Sequence, residues 1–438
     1  MKKLILLLAI PVALNNYFQA QNWQLLIPST SYDGSKLWLS SSAFDRNNGK
    51  IYSLYKNQLG NKFYEFNINA NSVAEISNQN GPNELYVFTF DPIHSKIIAV
   101  RSGTDMVYSI SSSGGFWSNQ GSGSYDAYHY GANLYFNQSN NSIGFLGGYG
   151  VYMANNAVWE NDGTQWTEIL PNNSNCDNAT PPRRTGFNAT LGNPNSTEVF
   201  FSSSQGNCSG NQMEQSCALG TGWASDIGVW CWLKDLWKYD YQANLFTQIL
   251  PPNHSSYVEE GDLTYDYVNN IFYLLGGSVP SPVYNPGYNP NFSSNVLRYR
   301  VGIDNGFVPM NVGGIAPSVT AVSNMGAHNA YFDANQNRII WIRFDGVYSI
   351  NLSGAGLEEE SSRTLTIAPN PSNSECTITV NSNLIGERFI ISDASGKIVL
   401  DSKIASESTT INVAKFSKGF YTITIDGMVP QRQALIIN

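Results

Sequence analysis

Charged side chains are scarce. Lys, Arg, Asp and Glu make up 13% of 438 residues, about half the usual share of a globular chain. Histidine occurs four times and no CxxC pair is present, so the spacing of a zinc site is missing. The charge that exists leans acidic, 24 basic against 33 acidic residues for a net of −9. With no basic cluster, nucleic acid and anionic membrane are excluded as partners. Phosphate-binding glycine loops, serine nucleophile elbows and zinc-protease motifs are also lacking, and neither a cofactor nor a metal is expected. The apolar run over residues 4–14 is too short to span a bilayer. Lys2 and Lys3 precede it and Ala20 follows, so residues 1–20 read as a signal peptide and the mature chain carries no transmembrane segment.

What fills the space left by charge is turn and strand chemistry: 38 Gly, 25 Tyr and 21 Phe, together with abundant Asn and Ser. Six times a short hairpin recurs, as AFDRNNGKIYSL from Ala43, TFDPIHSKIIAV from Thr89, YFNQSNNSIGFL from Tyr135, TLGNPNSTEVFF from Thr190, TYDYVNNIFYLL from Thr264 and YFDANQNRIIWI from Tyr331. The anchors Phe44, Phe90, Phe136, Leu191, Tyr265 and Phe332 stand 46, 46, 55, 74 and 67 residues apart. All-β repeats of this length predict propeller blades. The fold class is therefore all-β: a six-bladed β-propeller over residues 21–353, a polar linker over 354–363 and a small β-sandwich over 364–438. The sixth blade lacks a fourth strand after GVYSINL. NWQLLIP at residues 22–28 resembles the fourth-strand segments QWTEILP and LFTQILP, so the N-terminal strand is expected to complete that blade and close the ring.

The double glycines Gly147–Gly148 and Gly276–Gly277, the DLWKYD run at 235–240 and the fourth-strand aromatics resemble kelch repeats. The C-terminal segment carries Pro369-Asn370-Pro371, then Asp393 with Gly396-Lys397, then Phe416 with Lys418-Gly419-Phe420-Tyr421. It resembles the C-terminal sorting domain of type IX secretion substrates. That resemblance implies passage through the periplasm, recognition by the type IX machinery, and release or retention at the outer-membrane surface.

Export permits disulfides, and Cys176, Cys208, Cys217 and Cys231 fall in one stretch; two bridges are expected among them, with three possible pairings. Strand order gathers the long insertions, residues 203–234 and 278–294, on one face of the propeller. Loops on a rigid scaffold are where function resides. Trp223, Trp230, Trp232, Tyr284 and Tyr288 on these insertions, with Arg183 and Arg184, form the candidate ligand-binding set. Rings and amides suit a glycan or a protein partner equally. The competing class is a glycoside hydrolase or lyase at the channel mouth, with Glu259, Glu260, His129 and His328 as weak catalytic candidates and Asp262 beside them. For Arg183 and Arg184 a structural salt bridge is the rival reading, and internal packing is the rival for the aromatics.

Overall fold

The computed structural model describes residues 21–31, 39–57, 60–81, 86–101, 106–121, 132–150, 153–172, 180–185, 188–207, 222–225, 228–251, 261–277, 294–317, 329–343, 345–352, 365–380, 384–393, 397–425 and 431–438. Regular structure among them is β-strand, apart from a 3-10 turn at Ser29–Ser31. The chain divides into two compact units, residues 20–352 and a C-terminal unit from 353 onward.

The larger unit contains six antiparallel four-strand groups, each begun by one of the repeated hairpins. The first is Leu39–Asp45, Lys50–Asn57, Gly60–Asn67 and Ser72–Ile76. The fifth is Asp262–Asp266, Ile271–Leu275, Val296–Arg300 and Val308–Met310. Five of the six hairpins share one turn. Asp45 faces Lys50, Asp91 faces Lys96, Asn137 faces Ser142, Asp266 faces Ile271 and Asp333 faces Arg338. The leading carboxylate or amide accepts from backbone N–H groups two or three residues on, as Asp45 does from Asn47 and Asn48 and Asp266 from Val268 and Asn269. Such side chains offer the backbone a turn in place of a ladder. The residue before the return strand is left-handed: Gly49, Ser95, Asn141, Asn270 and Asn337, mostly the residue types that tolerate it.

Packing between groups holds the unit together. Among the described residues of this unit six separate apolar clusters are found, and each joins one group to the next. Phe63 and Leu54 meet Phe88 and Ile97 between the first and second groups; Val100 and Val107 meet Phe136 and Phe145 between the second and third. Tyr135 and Val158 meet Phe201 and Trp237, Leu236 and Phe200 meet Leu263 and Phe272, and Leu275 and Tyr273 meet Ile339 and Trp341. The last cluster returns to the start, with Ile340, Ile342 and Val347 against Ile51, Tyr55 and Phe66. First strands adjoin in chain order, and Ser42 Oγ donates to Asn329 Oδ1 at 2.8 Å across the closing seam.

The N-terminal strand Asn22–Pro28 pairs antiparallel with Gly346–Asn351, Trp23 facing Ile350, in the position its likeness to the fourth-strand segments predicts. Two departures from the sequence reading stand out. Within the insertion at 203–234, expected as a loop, the described residues 203–207, 222–225 and 228–234 are strand: Glu198–Asn207 and Gly228–Asp240 run on as a ladder from Ser204 facing Leu233 to Asn207 facing Trp230. Aromatic and β-branched residues in VWCWL favour the extended backbone. The third and fourth groups are also merged by the short strand Arg184–Thr185, which pairs with Asn155 on one side and with Gly206 and Gln205 on the other.

In the C-terminal unit Thr366–Ala368, Glu375–Thr379 and Ser408–Asn412 form one sheet, and Ile398–Lys403, Arg388–Asp393, Gly419–Ile425 and Gln431–Ile437 another. Ile378, Phe389, Ile391, Ile423 and Leu435 from both share one core. Cys376 lies in it as a free, buried cysteine, its thiol pushed up by burial. Pro369 and Pro371 each follow a cis peptide bond, and Asn370 Oδ1 between them accepts from the backbone of Ile436. Asp393 closes its turn with Lys397 in both directions, and Tyr421 donates to the Ser417 carbonyl at 2.8 Å. Gly396 lies outside the described residues.

Trp23 is 6% exposed and stacks on Trp341 with ring centroids 5.5 Å apart. Trp23→Ala is expected to cost about 3–5 kcal/mol in chemical denaturation, and deletion of residues 22–28 more. An unchanged denaturation midpoint in both would mean that this strand does not close the unit.

Candidate functional site

In each group the first strand runs toward its hairpin turn, so the links between groups and the second-to-third-strand insertions gather at the opposite end. His129, Glu259, Glu260, Tyr284, Tyr288, His328, Cys176, Cys208 and Cys217 lie outside the described residues. Trp223, Trp230, Trp232 and Cys231 are placed by backbone. Gly222–Ser225 pairs with Gly228–Asp240 so that Trp223 faces Trp230 directly, while Trp230 faces Asn207 and Trp232 faces Gln205 on the other flank. A cross-strand pair and an i, i+2 pair share a sheet face. The three tryptophan positions are therefore one face of a strand extension, flanked by amide-bearing positions.

Arg184 is not available to a ligand. It is 1% exposed, its Nη1 and Nη2 donate to Asp235 Oδ1 and Oδ2 at 3.0 and 2.8 Å, and its Nε donates to the Pro182 carbonyl. Asp235 Oδ2 also accepts from Trp237 Nε1 at 2.7 Å, and the guanidinium lies over the Phe201 ring. The salt bridge named as the rival reading is present: it fastens the third and fourth groups where their backbones join. Arg183 beside it is buried, and burial holds its guanidinium below the usual value. Breaking a buried pair from one side strands a charge. Arg184→Met is expected to cost about 3–5 kcal/mol, and pairing it with Asp235→Leu to recover much of that loss in denaturation.

At the start of the first strands a second polar knot joins the fifth, sixth and first groups. Asp262 Oδ1 accepts from the Asn329 backbone at 3.2 Å and Oδ2 from Trp341 Nε1 at 2.6 Å. Arg343 lies over the Trp341 ring at 4.7 Å and acts on the same carboxyl. Tyr331 donates from its hydroxyl to the Ser42 carbonyl at 2.6 Å. Burial raises the Asp262 carboxyl to about 6, against the opposing pull of Trp341, Arg343 and Asn329. A carboxyl raised in the fold binds its proton more tightly folded than unfolded, so its contribution to stability is full below about pH 4 and is lost as pH rises through about 6. Wild-type protein is expected to lose on the order of 3 kcal/mol across that window. Asp262→Asn should flatten this part of the pH–stability curve, and an unaltered slope would count against it.

Arg46, in the first hairpin turn, is a further polar strut. Its guanidinium crosses to the fourth group, Nη1 donating to the Gly192 carbonyl at 2.7 Å and Nη2 to the Leu191 carbonyl at 3.1 Å. It also lies 5.8 Å from the ring centre of Tyr267 in the fifth. Burial lowers it to about 10. Nothing in AFDRNNGK separates such an arginine from a solvated turn residue; only the ring places its target opposite. A cavity of about 60 Å³ runs along the first strands from Ser42 and Asn133 to Arg46 and Leu191.

Residues 366–438 match the family described as "Secretion system C-terminal sorting domain". Over 91 residues the chain is 34% identical to Beta-agarase A of Zobellia galactanivorans, a match spanning 20% of this chain and 17% of the agarase. Among solved structures, an oligogalacturonate lyase from Vibrio parahaemolyticus is 7% identical, with a TM-score of 0.43 over 76% of this chain and 97% of the lyase. A gluconolactonase from Xanthomonas campestris is 9% identical, with a TM-score of 0.42 over 76% and 89%. A putative TolB from Agrobacterium tumefaciens is 9% identical, with a TM-score of 0.41 over 72% and 89%. Likenesses this loose say nothing of the chemistry of this chain. The sorting domain does speak to destination: the chain is exported by the type IX system, to the cell surface or into the medium.

Proposed function

We propose that this protein is an exported, kelch-like six-bladed β-propeller that binds an extracellular glycan. Its binding face bears the insertions of the fourth and fifth blades, and the C-terminal β-sandwich addresses it to the type IX machinery. The carrying observation is the register that brings Trp223, Trp230 and Trp232 onto one face of the fourth-blade extension, beside Asn207 and Gln205. Indole faces cover the apolar faces of pyranose rings while amides bond the hydroxyls, so this grouping suits a neutral or weakly acidic polysaccharide. The 34% match to an agarase is consistent with a polysaccharide setting and names no substrate for this chain.

Binding is favoured over bond cleavage by the condition of the described acids. Asp235 is held by Arg184 and Trp237, and Asp262 by Asn329 and Trp341. General acid–base chemistry needs a carboxyl within reach of the substrate, and both are spent on the scaffold.

The test is a polysaccharide panel, including agarose-type and pectin-type chains, against the purified protein. At least one glycan is expected to bind, and Trp230→Ala with Trp223→Ala should weaken it tenfold or more, about 1.4 kcal/mol. A protein that binds none of the panel, or binds equally after both substitutions, refutes the reading. Release of reducing ends from the bound glycan would make it an enzyme instead.

A further inference from the structure

A cavity lies along the first strands, and the arginine in its wall, Arg46, meets no carboxylate among the described residues. Four other arginines each meet a carboxylate: Arg184 meets Asp235, Arg300 meets Asp304, Arg338 meets Asp333 and Arg388 meets Asp401. Arg46 bonds instead to two backbone carbonyls, and the groups acting electrostatically on it are the phenols of Tyr267 and Tyr331. Carbonyl dipoles satisfy N–H donors but leave the unit charge in place. Phe44, Phe88, Phe90 and Leu134 wall the space and Arg46 is partly buried, so that charge is screened less than on an open surface. A guanidinium offers five N–H donors, and the two carbonyls take two of them.

We propose that the cavity at Arg46 is a binding site for one small monovalent anion, of the size of a halide or formate. Thr89 and Thr190 supply hydroxyl groups along the same wall, donors for the shell of an anion resting against the guanidinium. A volume of about 60 Å³ exceeds what a single water needs and admits a bromide or a formate. Its lining shares no residue with the glycan face, so its failure would leave that reading untouched. Its consequence is structural: the anion neutralises the strut that ties the first group to the fourth through the centre of the ring.

Crystals of the full chain soaked in bromide should show an anomalous peak in the cavity within hydrogen-bond distance of the Arg46 guanidinium. In solution, melting temperature at fixed ionic strength should rise by roughly 2–3 °C as bromide, or formate in a parallel arm, replaces a large excluded anion. Arg46→Met should abolish that rise. A response in one arm alone identifies the anion class and supports the site. A cavity without anomalous density at saturating bromide overturns the proposal, as does an identical response in Arg46→Met. If Arg46→Met does not fold, the anomalous map on wild-type crystals decides alone.

Discussion

In each of the six strand groups the second strand is covered on both faces by neighbouring groups, and the remaining structure follows from that. Along Arg338–Arg343, Ile339 and Trp341 enter the cluster shared with the fifth group while Ile340 and Ile342 enter the one shared with the first. Lys96–Arg101 divides in the same way, Ile97 and Ala99 to one side, Ile98 and Val100 to the other. A strand buried on both faces cannot alternate apolar with polar residues, which is why the second strand of each repeat reads as an unbroken bulky run. It also cannot lie at an open end, because one of its faces would then be bare. Closure is therefore obligatory, and the N-terminal strand is the piece that provides it, with Trp23 and Ile27 each entering a cluster on opposite sides.

Much of this was legible in the chain, for local reasons. An aspartate or asparagine, three residues, and one left-handed residue make a turn whose hydrogen bonds are all internal to it, so the turn announces itself wherever it falls. The fourth hairpin is the exception that shows the rule. It has Gly192 where the others have Asp or Asn, and its longer loop closes by Gly192 N–H donating to the Glu198 carbonyl. Less legible was anything depending on distant partners. Residues 203–207 and 228–234 carry no hairpin signal of their own, so their sequence does not announce the protruding ladder they form. Arg184 was readable as an arginine after a Pro-Pro pair, but Asp235 lies 51 residues on, and no local pattern links them. Arg46 was invisible as a strut for the same reason.

The buried polar groups form a consistent set. Arg184 with Asp235, Asp262 with Trp341, and the carboxylate of Glu160 with Tyr135, Asn137, Asn140 and Ser142 are each satisfied by several directional bonds. Apolar clusters alone would tolerate neighbouring sheets sliding past one another, since burial has no direction. Bonds such as Ser42 to Asn329 and Arg184 to Asp235 join different groups at fixed positions, so they set the angle at which sheets meet. The described acids and arginines among these, Asp235, Asp262 and Arg184, serve register.

The two ends of the first strands are built differently, and the difference bears on function. At the hairpin end five turns have the same length, each locked by its own side chain, and Arg46 ties opposite sides together. At the other end the links vary, and they account for the spread of repeat spacing from 46 to 74 residues. A turn whose hydrogen bonds are internal cannot lengthen without losing them, whereas a link between sheets whose faces are already buried can grow at little cost, since loop-closure entropy rises slowly with length. Variation is therefore confined by physics to one face. The tryptophan-bearing extension of the fourth group arises from that face, on strands continuous with the buried ladder, so a surface free to change stands on one that is not.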